Sequence, residues 1–293
     1  MIQKDPKAEV RIDNPLIQHL LKTQFPQLAH LKIEFLDAGW DNENYRLGTA
    51  YIIRLPRRQV AVSLLLNEIN WLPTLQKKLP IPIPAPVFCG KPTLDYPWPW
   101  SIIPWQDGKS ANLNKPNDTE ALALVRFLKV LHQKNPENAP ENHSRGVPLQ
   151  EKLPDLIKRM ERLKNKTTSI TPRIEELLSI ALNTPFDTQK YLLHGDLHPR
   201  NIIVHEGKIT AIIDWGDITD GDRATDLASL WMLFDNATIR QAALTEYGAT
   251  SDLMNRAIGW AIFFGVILLD TGLEGNAQHA AIGEFTLRNI NDI

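Results

Sequence analysis

The chain has 293 residues, 43% hydrophobic and 23% charged, which is typical of a globular protein with one large domain or two unequal ones. Its formal net charge of -2 excludes the basic surplus of a general nucleic-acid binder, and its single cysteine, Cys89, excludes an internal disulfide. The N-terminus is polar, without an apolar signal core, and the longest uncharged apolar run, residues 257–269, is too short to span a bilayer. We therefore expect a cytoplasmic protein with neither nucleic acid nor membrane as a partner.

The residue pattern in the first third of the chain predicts a helix, three strands and a second helix. Asn14-Pro15 predicts a helix cap followed by a first-turn proline. Residues 31–36, 44–47 and 51–55 are strand-like runs, and Gly39 and Gly48 lie between them as turns require. A helical pattern at residues 62–72 can continue, kinked, past Pro73.

The segment of residues 79–104 differs from its surroundings because it contains eight prolines. Prolines at this density exclude a helix and stiffen the backbone. We interpret the segment as an extended connection that joins two lobes and ends near residues 102–104. Trp98, Trp100 and Trp105 then predict packing at this connection, with stacking of one of them on a nucleobase as the alternative.

Beyond the connection the pattern is mostly helical, with predicted helices at residues 121–132, 153–163 and 172–182 and again from about residue 224. Residues 202–205 and 209–213 are two strand signals, and Glu206-Gly207-Lys208 predicts the hairpin turn between them. The order predicts an α+β fold with a β-rich N-lobe, residues 1–103, and a mainly helical C-lobe, residues 104–293.

Three oxygen-bearing side chains flank the predicted hairpin. Asp196 and Asn201 precede its first strand, and Asp214 follows its second. Because a hairpin returns the chain on itself, Asn201 and Asp214 are expected to meet at its open end. A carboxylate and an amide oxygen suit Mg²⁺, which keeps several waters and takes few carboxylates beside substrate phosphates. Phosphoryl transfer also needs a carboxylate that orients and deprotonates the acceptor hydroxyl, and Asp196 suits this role.

His194 and His198 allow an alternative interpretation, because with Asp196 they offer three metal ligands within five residues. A metal-dependent hydrolase could be built on this set. Pro199 predicts a turn at this point, which would prevent the three side chains from sharing one face.

The motif HGDLHPRN followed by IDWGD resembles the catalytic and magnesium loops of the aminoglycoside phosphotransferase and choline kinase-like family, which is distantly related to protein kinases. Asp196 and Asn201 match the kinase spacing D-x-x-x-x-N, and Asp214 matches the metal-binding aspartate. The resemblance implies a bilobal protein-kinase-like fold, ATP or GTP as co-substrate, and Mg²⁺ held by Asn201 and Asp214. It also implies structural roles for Asp222 and Asp226.

The resemblance extends upstream, where Arg54 occupies the position of the phosphate-binding lysine of kinases and Glu68 matches its ion-pair partner. Arginine at this position is similar to macrolide-phosphotransferase-like members of the family. The resemblance implies that Arg54 contacts phosphate and that backbone groups around Ile103 and Trp105 bind the nucleobase. Arg54 also motivates a second alternative, a pseudokinase that holds nucleotide without turnover.

The leading prediction is a small-molecule kinase that phosphorylates a hydroxyl of an aminoglycoside-like, macrolide-like or other small acceptor, with Asp196 as the catalytic base. Four acidic residues are candidates for contacts with a cationic acceptor: Asp217, Asp235, Asp270 and Glu274.

Overall fold

A computed structural model describes residues 7–293, so the first six residues of the polar N-terminal stretch lie outside the description. The chain divides into two compact units. The first comprises residues up to Lys78 together with Ile83–Gln106, and the second comprises Leu79–Pro82 together with Asp107–Ile293. The lobe limits 1–103 and 104–293 stay predictions.

The first unit is built on one antiparallel sheet with the strand order β1-β2-β3-β5-β4. Its elements are α1 (Asn14–Gln24), β1 (Ile33–Ala38), β2 (Asn42–Leu47), β3 (Tyr51–Pro56), α2 (Val62–Leu75), β4 (Phe88–Gly90) and β5 (Trp100–Pro104). The cap of α1 is Asp13 rather than Asn14, because Asp13 Oδ1 accepts a hydrogen bond from the Leu16 N–H at 3.1 Å.

The proline-rich segment forms part of the core of the first unit. Its two strands, β4 and β5, complete the sheet, and Tyr96, Trp98 and Trp100 are buried with the apolar residues of α1, β2 and β3. The Trp98 indole N–H donates to Gln59 Oε1 at 2.8 Å. The tryptophans at 98 and 100 are therefore packing residues, in agreement with the first of the two interpretations.

Gly90 lies at a position in this sheet where a larger residue does not fit. It pairs with Trp100 across β4 and β5, and a β-carbon on Gly90 would overlap the fully buried indole of Trp100. We expect Gly90→Ala to lower the free energy of unfolding by about 1–3 kcal/mol, as overpacking does. Denaturant titration measures this change. Gly39→Ala is the matched control, because its β-carbon would lie 3.7 Å from the Asn42 carbonyl oxygen, an ordinary contact. Equal stability of the two variants would contradict the prediction.

The second unit is mainly helical and contains two small sheets. Its elements are β6 (Lys109–Ser110), α3 (Glu120–Leu131), α4 (Leu153–Lys164), α5 (Pro172–Asn183), β7 (Tyr191–Leu193), β8 (Ile202–His205), β9 (Lys208–Ile212), β10 (Thr219–Gly221), α6 (Ala224–Leu227), α7 (Ser229–Leu233), α8 (Ala237–Tyr247), α9 (Ser251–Gly272) and α10 (Ala277–Asn291). The predicted hairpin is β8–β9, with β6 added beside β8. Strands β7 and β10 pair antiparallel with each other.

Helix α9 is the central helix of the second unit. Gly283 of α10 faces it so closely that a β-carbon there would overlap the backbone of Leu269. By length and composition α9 could cross a membrane, but 72% of its most apolar stretch is buried in the structure. A core helix of a globular unit has this property. The prediction of a buried helix here is confirmed, and so is the α+β fold with a β-rich first part and a mainly helical second part.

Candidate active site

The second unit brings the positions of Asp196, Asn201 and Asp214 to one end of the β8–β9 hairpin. Asp196 lies in the loop after β7, Asn201 closes a short 3₁₀ turn before β8, and Asp214 follows β9. The Asn201 Nδ2 donates to the Asp196 carbonyl oxygen at 3.0 Å. The Ile213 N–H donates to the Asn201 carbonyl oxygen at 2.9 Å, so the hydrogen bonding of the hairpin continues to the residue before Asp214.

The loop that carries Asp196 is held by the buried carboxylate of Asp226. Its Oδ2 accepts from the His194 N–H at 2.8 Å, and its Oδ1 accepts from the Gly195 N–H at 2.9 Å. His132 Nε2 lies 3.2 Å from Oδ2, and His132 Nδ1 lies 2.6 Å from the Tyr247 hydroxyl. Burial alone would raise the pKa of Asp226, but the hydrogen bond and charge of His132, with those of its other partners, hold that pKa below its usual range.

His194 is a structural residue of this loop. Its Nδ1 accepts from the Asp196 N–H at 3.2 Å, so Nε2 carries the proton and donates to the Ile213 carbonyl oxygen at 3.0 Å. Its ring packs on Trp215 with the ring centroids 4.6 Å apart. Because both ring nitrogens are engaged, neither is available to a metal.

The alternative of a hydrolase metal site on His194, Asp196 and His198 therefore has no support in the geometry. Within residues 7–293 the structure places no group of three or more His, Cys, Asp or Glu side chains suited to hold a metal ion. The ring of His198 serves the loop instead: Nδ1 accepts from the Arg200 N–H at 3.2 Å, and Nε2 lies 3.4 Å from Asp196 Oδ2.

The Asp196 carboxylate is held as an anion. Arg145 Nη2 donates to Asp196 Oδ1 at 2.8 Å, and His198 approaches the other oxygen. Burial raises the pKa of Asp196, but the charges of Arg145 and His198 outweigh burial and hold the pKa well below its usual range. At neutral pH the carboxylate is ionised and can accept a hydrogen bond from a hydroxyl.

Asp214 and Asn201 offer oxygen atoms suited to Mg²⁺. The Asn201 amide nitrogen donates to the Asp196 carbonyl oxygen, so the amide oxygen is the atom of this side chain suited to a hard cation. Asp214 is exposed and has φ = 62°, a left-handed conformation that a non-glycine residue seldom adopts and that recurs at functional sites. The adjacent indole of Trp215 donates to the Ile212 carbonyl oxygen at 2.9 Å and is fully buried, which holds the turn. A carboxylate and an amide oxygen fit the preference of Mg²⁺ for hard donors.

The remaining predicted site residues lie in the first unit. Arg54 on β3 and Glu68 on α2 are buried and form an ion pair, with Arg54 Nη1 at 2.7 and 2.6 Å from the two carboxylate oxygens. Ile103 pairs with Ile52 across β3 and β5. The Trp105 N–H donates to the Ala50 carbonyl oxygen at 2.8 Å. Contact of these four predicted residues with nucleotide stays a prediction.

Sequence reasoning missed Arg145 and interpreted Arg57 and Arg58 as plain surface charges. Arg145 lies 51 positions before Asp196 with no motif around it, so only the tertiary structure shows that it contacts the Asp196 carboxylate. Arg57 Nη1 donates to the Gly39 carbonyl oxygen at 2.8 Å, and Arg58 Nη2 donates to the Trp40 carbonyl oxygen at 3.1 Å. These two arginines tie the β1–β2 turn to the end of β3. The sequence signal that could have indicated this role was their position directly after the apolar strand β3.

Solved structures of two kinds of antibiotic kinase share the fold. The GDP complex of aminoglycoside 2'-phosphotransferase-IIIa aligns over 96% of this chain and 99% of its own, with a TM-score of 0.67 and 21% sequence identity. The macrolide 2'-phosphotransferase of Brachybacterium faecium aligns over 93% and 97%, with a TM-score of 0.63 and 19% identity. The fold is thus that of the kinase-like phosphotransferases.

The sequence itself matches the phosphotransferase enzyme family (APH) over residues 32–260. The chain belongs to this family, and the family recognised from HGDLHPRN and IDWGD is confirmed. Curated relatives include the aminoglycoside 3'-phosphotransferases of Escherichia coli and Salmonella typhimurium, each 32% identical over 74 residues. That match covers 25% of this chain and 27% of each relative, so the chain matches about a quarter of the length of these enzymes.

Proposed function

We propose that this protein is a small-molecule kinase that transfers the terminal phosphoryl group of ATP or GTP to a hydroxyl of an aminoglycoside-like, macrolide-like or other small acceptor. The proposal rests on two hydrogen bonds, from Asn201 Nδ2 to the Asp196 carbonyl oxygen and from the Ile213 N–H to the Asn201 carbonyl oxygen. They hold the residue with the ionised carboxylate, Asp196, beside the two positions suited to Mg²⁺. Structures of similar enzymes with GDP, and with GDP and kanamycin, support it.

In the proposed reaction Asp196 accepts a hydrogen bond from the acceptor hydroxyl and so orients its oxygen towards the terminal phosphorus. The new O–P bond forms as the bond between that phosphorus and the nucleoside diphosphate breaks, and the hydroxyl proton passes to Asp196. A carboxylate of low pKa is a weak base. This suits phosphoryl transfer, in which positioning contributes more than early proton removal because the transition state is loose.

Asn201 and Asp214 are proposed to hold Mg²⁺, which when bound neutralises phosphate charge. Arg54, oriented by Glu68, is proposed to contact phosphate through its planar guanidinium, and the backbone near Ile103 and Trp105 to contact the nucleobase. The protein is proposed to act in the cytoplasm, without a nucleic-acid or membrane partner.

The competing proposal is a pseudokinase, motivated by arginine at the lysine position. The two proposals differ in turnover, so the test is phosphotransfer by the purified protein with Mg²⁺ and either nucleotide, across aminoglycosides, macrolides, choline-like amines and sugars. We expect product with at least one acceptor.

Asp214→Asn is expected to lower kcat by about a hundredfold or more, since the charge paired with metal and phosphates is lost.

Asp252→Asn is the matched control, because Asp252 is exposed in the first turn of α9 and the substitution removes the same charge. Its turnover should equal that of the wild type. Nucleotide binding with neither transfer nor hydrolysis would establish the pseudokinase and exclude the proposed kinase.

A further inference from the structure

Arg145 is bonded to one oxygen of the Asp196 carboxylate. Its Nη2 donates to Asp196 Oδ1 at 2.8 Å, and the two side chains are 20% and 21% exposed. The guanidinium carbon lies 5.4 Å from the ring centroid of Phe264, within the range of a cation–π contact. A guanidinium that lies against an aromatic ring and largely out of solvent has few other orientations, so it fixes the orientation of the carboxylate that it contacts.

The loop that carries Arg145 is anchored on both sides of that residue. On one side Asn142 Oδ1 accepts from the Arg145 N–H at 3.2 Å, while Asn142 Nδ2 donates to Asp217 Oδ1 at 2.7 Å. On the other side the Gly146 carbonyl oxygen accepts from the Asp222 N–H at 2.9 Å. The backbone of Arg145, as well as its side chain, is therefore held against residues 217–222.

A second carboxylate, that of Asp217, also faces Arg145. Burial lowers the pKa of Arg145, but the charges of Asp196 and Asp217 outweigh burial and raise that pKa, so the guanidinium stays charged. Asp217 takes its hydrogen bond from Asn142, and within residues 7–293 the ion pair of Arg145 is with Asp196. The other three predicted acidic residues have other surroundings: Asp270 accepts from Arg159 Nη1 at 2.9 Å, Asp235 accepts from Lys115 Nζ at 2.6 Å, and Glu274 is exposed.

The other oxygen of Asp196, Oδ2, retains capacity for a hydroxyl donor. His198 Nε2 approaches Oδ2 at 3.4 Å, which is longer than the 2.8 Å bond from Arg145 to Oδ1. The His198 ring is itself held, because its Nδ1 accepts from the Arg200 N–H at 3.2 Å. A carboxylate oxygen accepts more than one hydrogen bond, so Oδ2 can take a further donor while the bond at Oδ1 prevents rotation.

We infer that Arg145 is a positioning residue of the proposed phosphoryl transfer: it fixes Oδ1 of Asp196 and so directs Oδ2 to the acceptor hydroxyl. Arg145 acts through Asp196 and makes no contact with substrate in this scheme. Positioning is important here because a displacement of about 1 Å in a reacting group can lower the rate by about a hundredfold. The inference rests on the proposed function and deepens it, since it assigns the oxygen of the base that receives the hydroxyl.

The experiment is a double-mutant cycle between Arg145 and Asp196, measured with Mg²⁺, either nucleotide and the best acceptor among kanamycin, erythromycin, choline and glucose. If water is the best acceptor, nucleotide hydrolysis is measured instead. Arg145→Gln should lower kcat by about tenfold or more and change each KM by less than about threefold, because the orientation of the base affects the chemical step. In the Asp196→Asn background the same substitution should lower kcat by less than about threefold, since the carboxylate that Arg145 positions is already absent.

Arg126→Gln is the matched control, because Arg126 pairs with Glu246, its side chain is 60% exposed, and the substitution removes the same charge. Its kcat should equal that of the wild type. Thermal unfolding shows which variants are folded. If Arg145→Gln does not fold, Arg145→Lys takes its place in the cycle, with a smaller loss of kcat that should also disappear in the Asp196→Asn background.

A merely structural role of Arg145 would lower kcat by the same factor in both backgrounds, and this result would overturn the inference. Wild-type kcat in Arg145→Gln, a loss confined to KM, or an acceptor-bound structure with the hydroxyl on Oδ1 would also overturn it. Each of these results would leave the kinase proposal standing. Absence of both transfer and hydrolysis in the wild type would instead overturn the proposed function and this inference with it.

Discussion

Asp196→Asn is expected to lower kcat by about 10²–10⁴-fold, the range that general-base groups contribute. The amide fills the volume of the carboxylate but lacks its charge, so it orients the acceptor hydroxyl less strongly and cannot take its proton. Nucleotide affinity should stay close to that of the wild type, because the proposed nucleotide contacts are made by other residues. Steady-state kinetics with the best acceptor and calorimetric titration with nucleotide measure the two effects separately.

The Asp196→Asn experiment needs a test of folding, since the substitution also removes the ion pair with Arg145. The side chains of that pair are only 20% and 21% exposed, so its loss should cost about 1–3 kcal/mol, more than the loss of a surface pair. Turnover is therefore compared at a temperature at which thermal unfolding shows both proteins to be folded, and the exposed Asp252→Asn variant controls for the loss of charge. Unchanged turnover in Asp196→Asn would refute the assignment of the base.

The second large effect is expected from substitution of Asp226, and it concerns the stability of the folded protein. Asp226→Asn should lower the free energy of unfolding by about 3–5 kcal/mol, the cost of breaking a fully buried charged network. In the variant, the amide NH₂ would face the backbone N–H of Gly195 or of His194. In the wild type both of these groups donate to the carboxylate. We also expect lower kcat in the folded fraction, because the loop carrying Asp196 loses its anchor. Denaturant titration measures the stability.

The matched control for Asp226 is Asp220→Asn. Asp220 lies six positions away on β10 and pairs with Lys190, whose side chain is 60% exposed. A pair so open to solvent contributes about 1 kcal/mol or less, so the control should unfold close to the wild type. If the two variants lost stability equally, Asp226 would not anchor the loop.

The pH dependence of stability provides an independent test of the Asp226 network. Because the folded state holds the pKa of Asp226 below its usual range, the unfolded state binds the proton more readily. Its stabilising contribution is therefore complete above the usual aspartate pKa of about 3.9 and is lost as the pH falls through the lower pKa of the folded state. The stabilities of the wild type and Asp226→Asn should converge in acid.

Local patterns predicted the longer elements well. Helices α3, α4 and α5 begin and end within one residue of the predicted limits, because amphipathic spacing and first-turn prolines are local signals. Strands β7 and β10 were missed. Each has only three residues, and each is stabilised by pairing with the other across 25 or more positions of sequence. A strand of three residues is too short for an alternation of apolar and polar residues to reveal it.

The amino-acid sequence alone determined the identity and spacing of Asp196, Asn201 and Asp214, because the chain between them is a short hairpin whose geometry follows from local rules. The tertiary structure decided what surrounds these groups. Arg145 contacts Asp196 across 51 positions of sequence, and Asp226 contacts the backbone of the loop carrying Asp196 from 31 and 32 positions away. Electrostatic and hydrogen-bond partners are selected by distance in space, and no local pattern of residues encodes that distance.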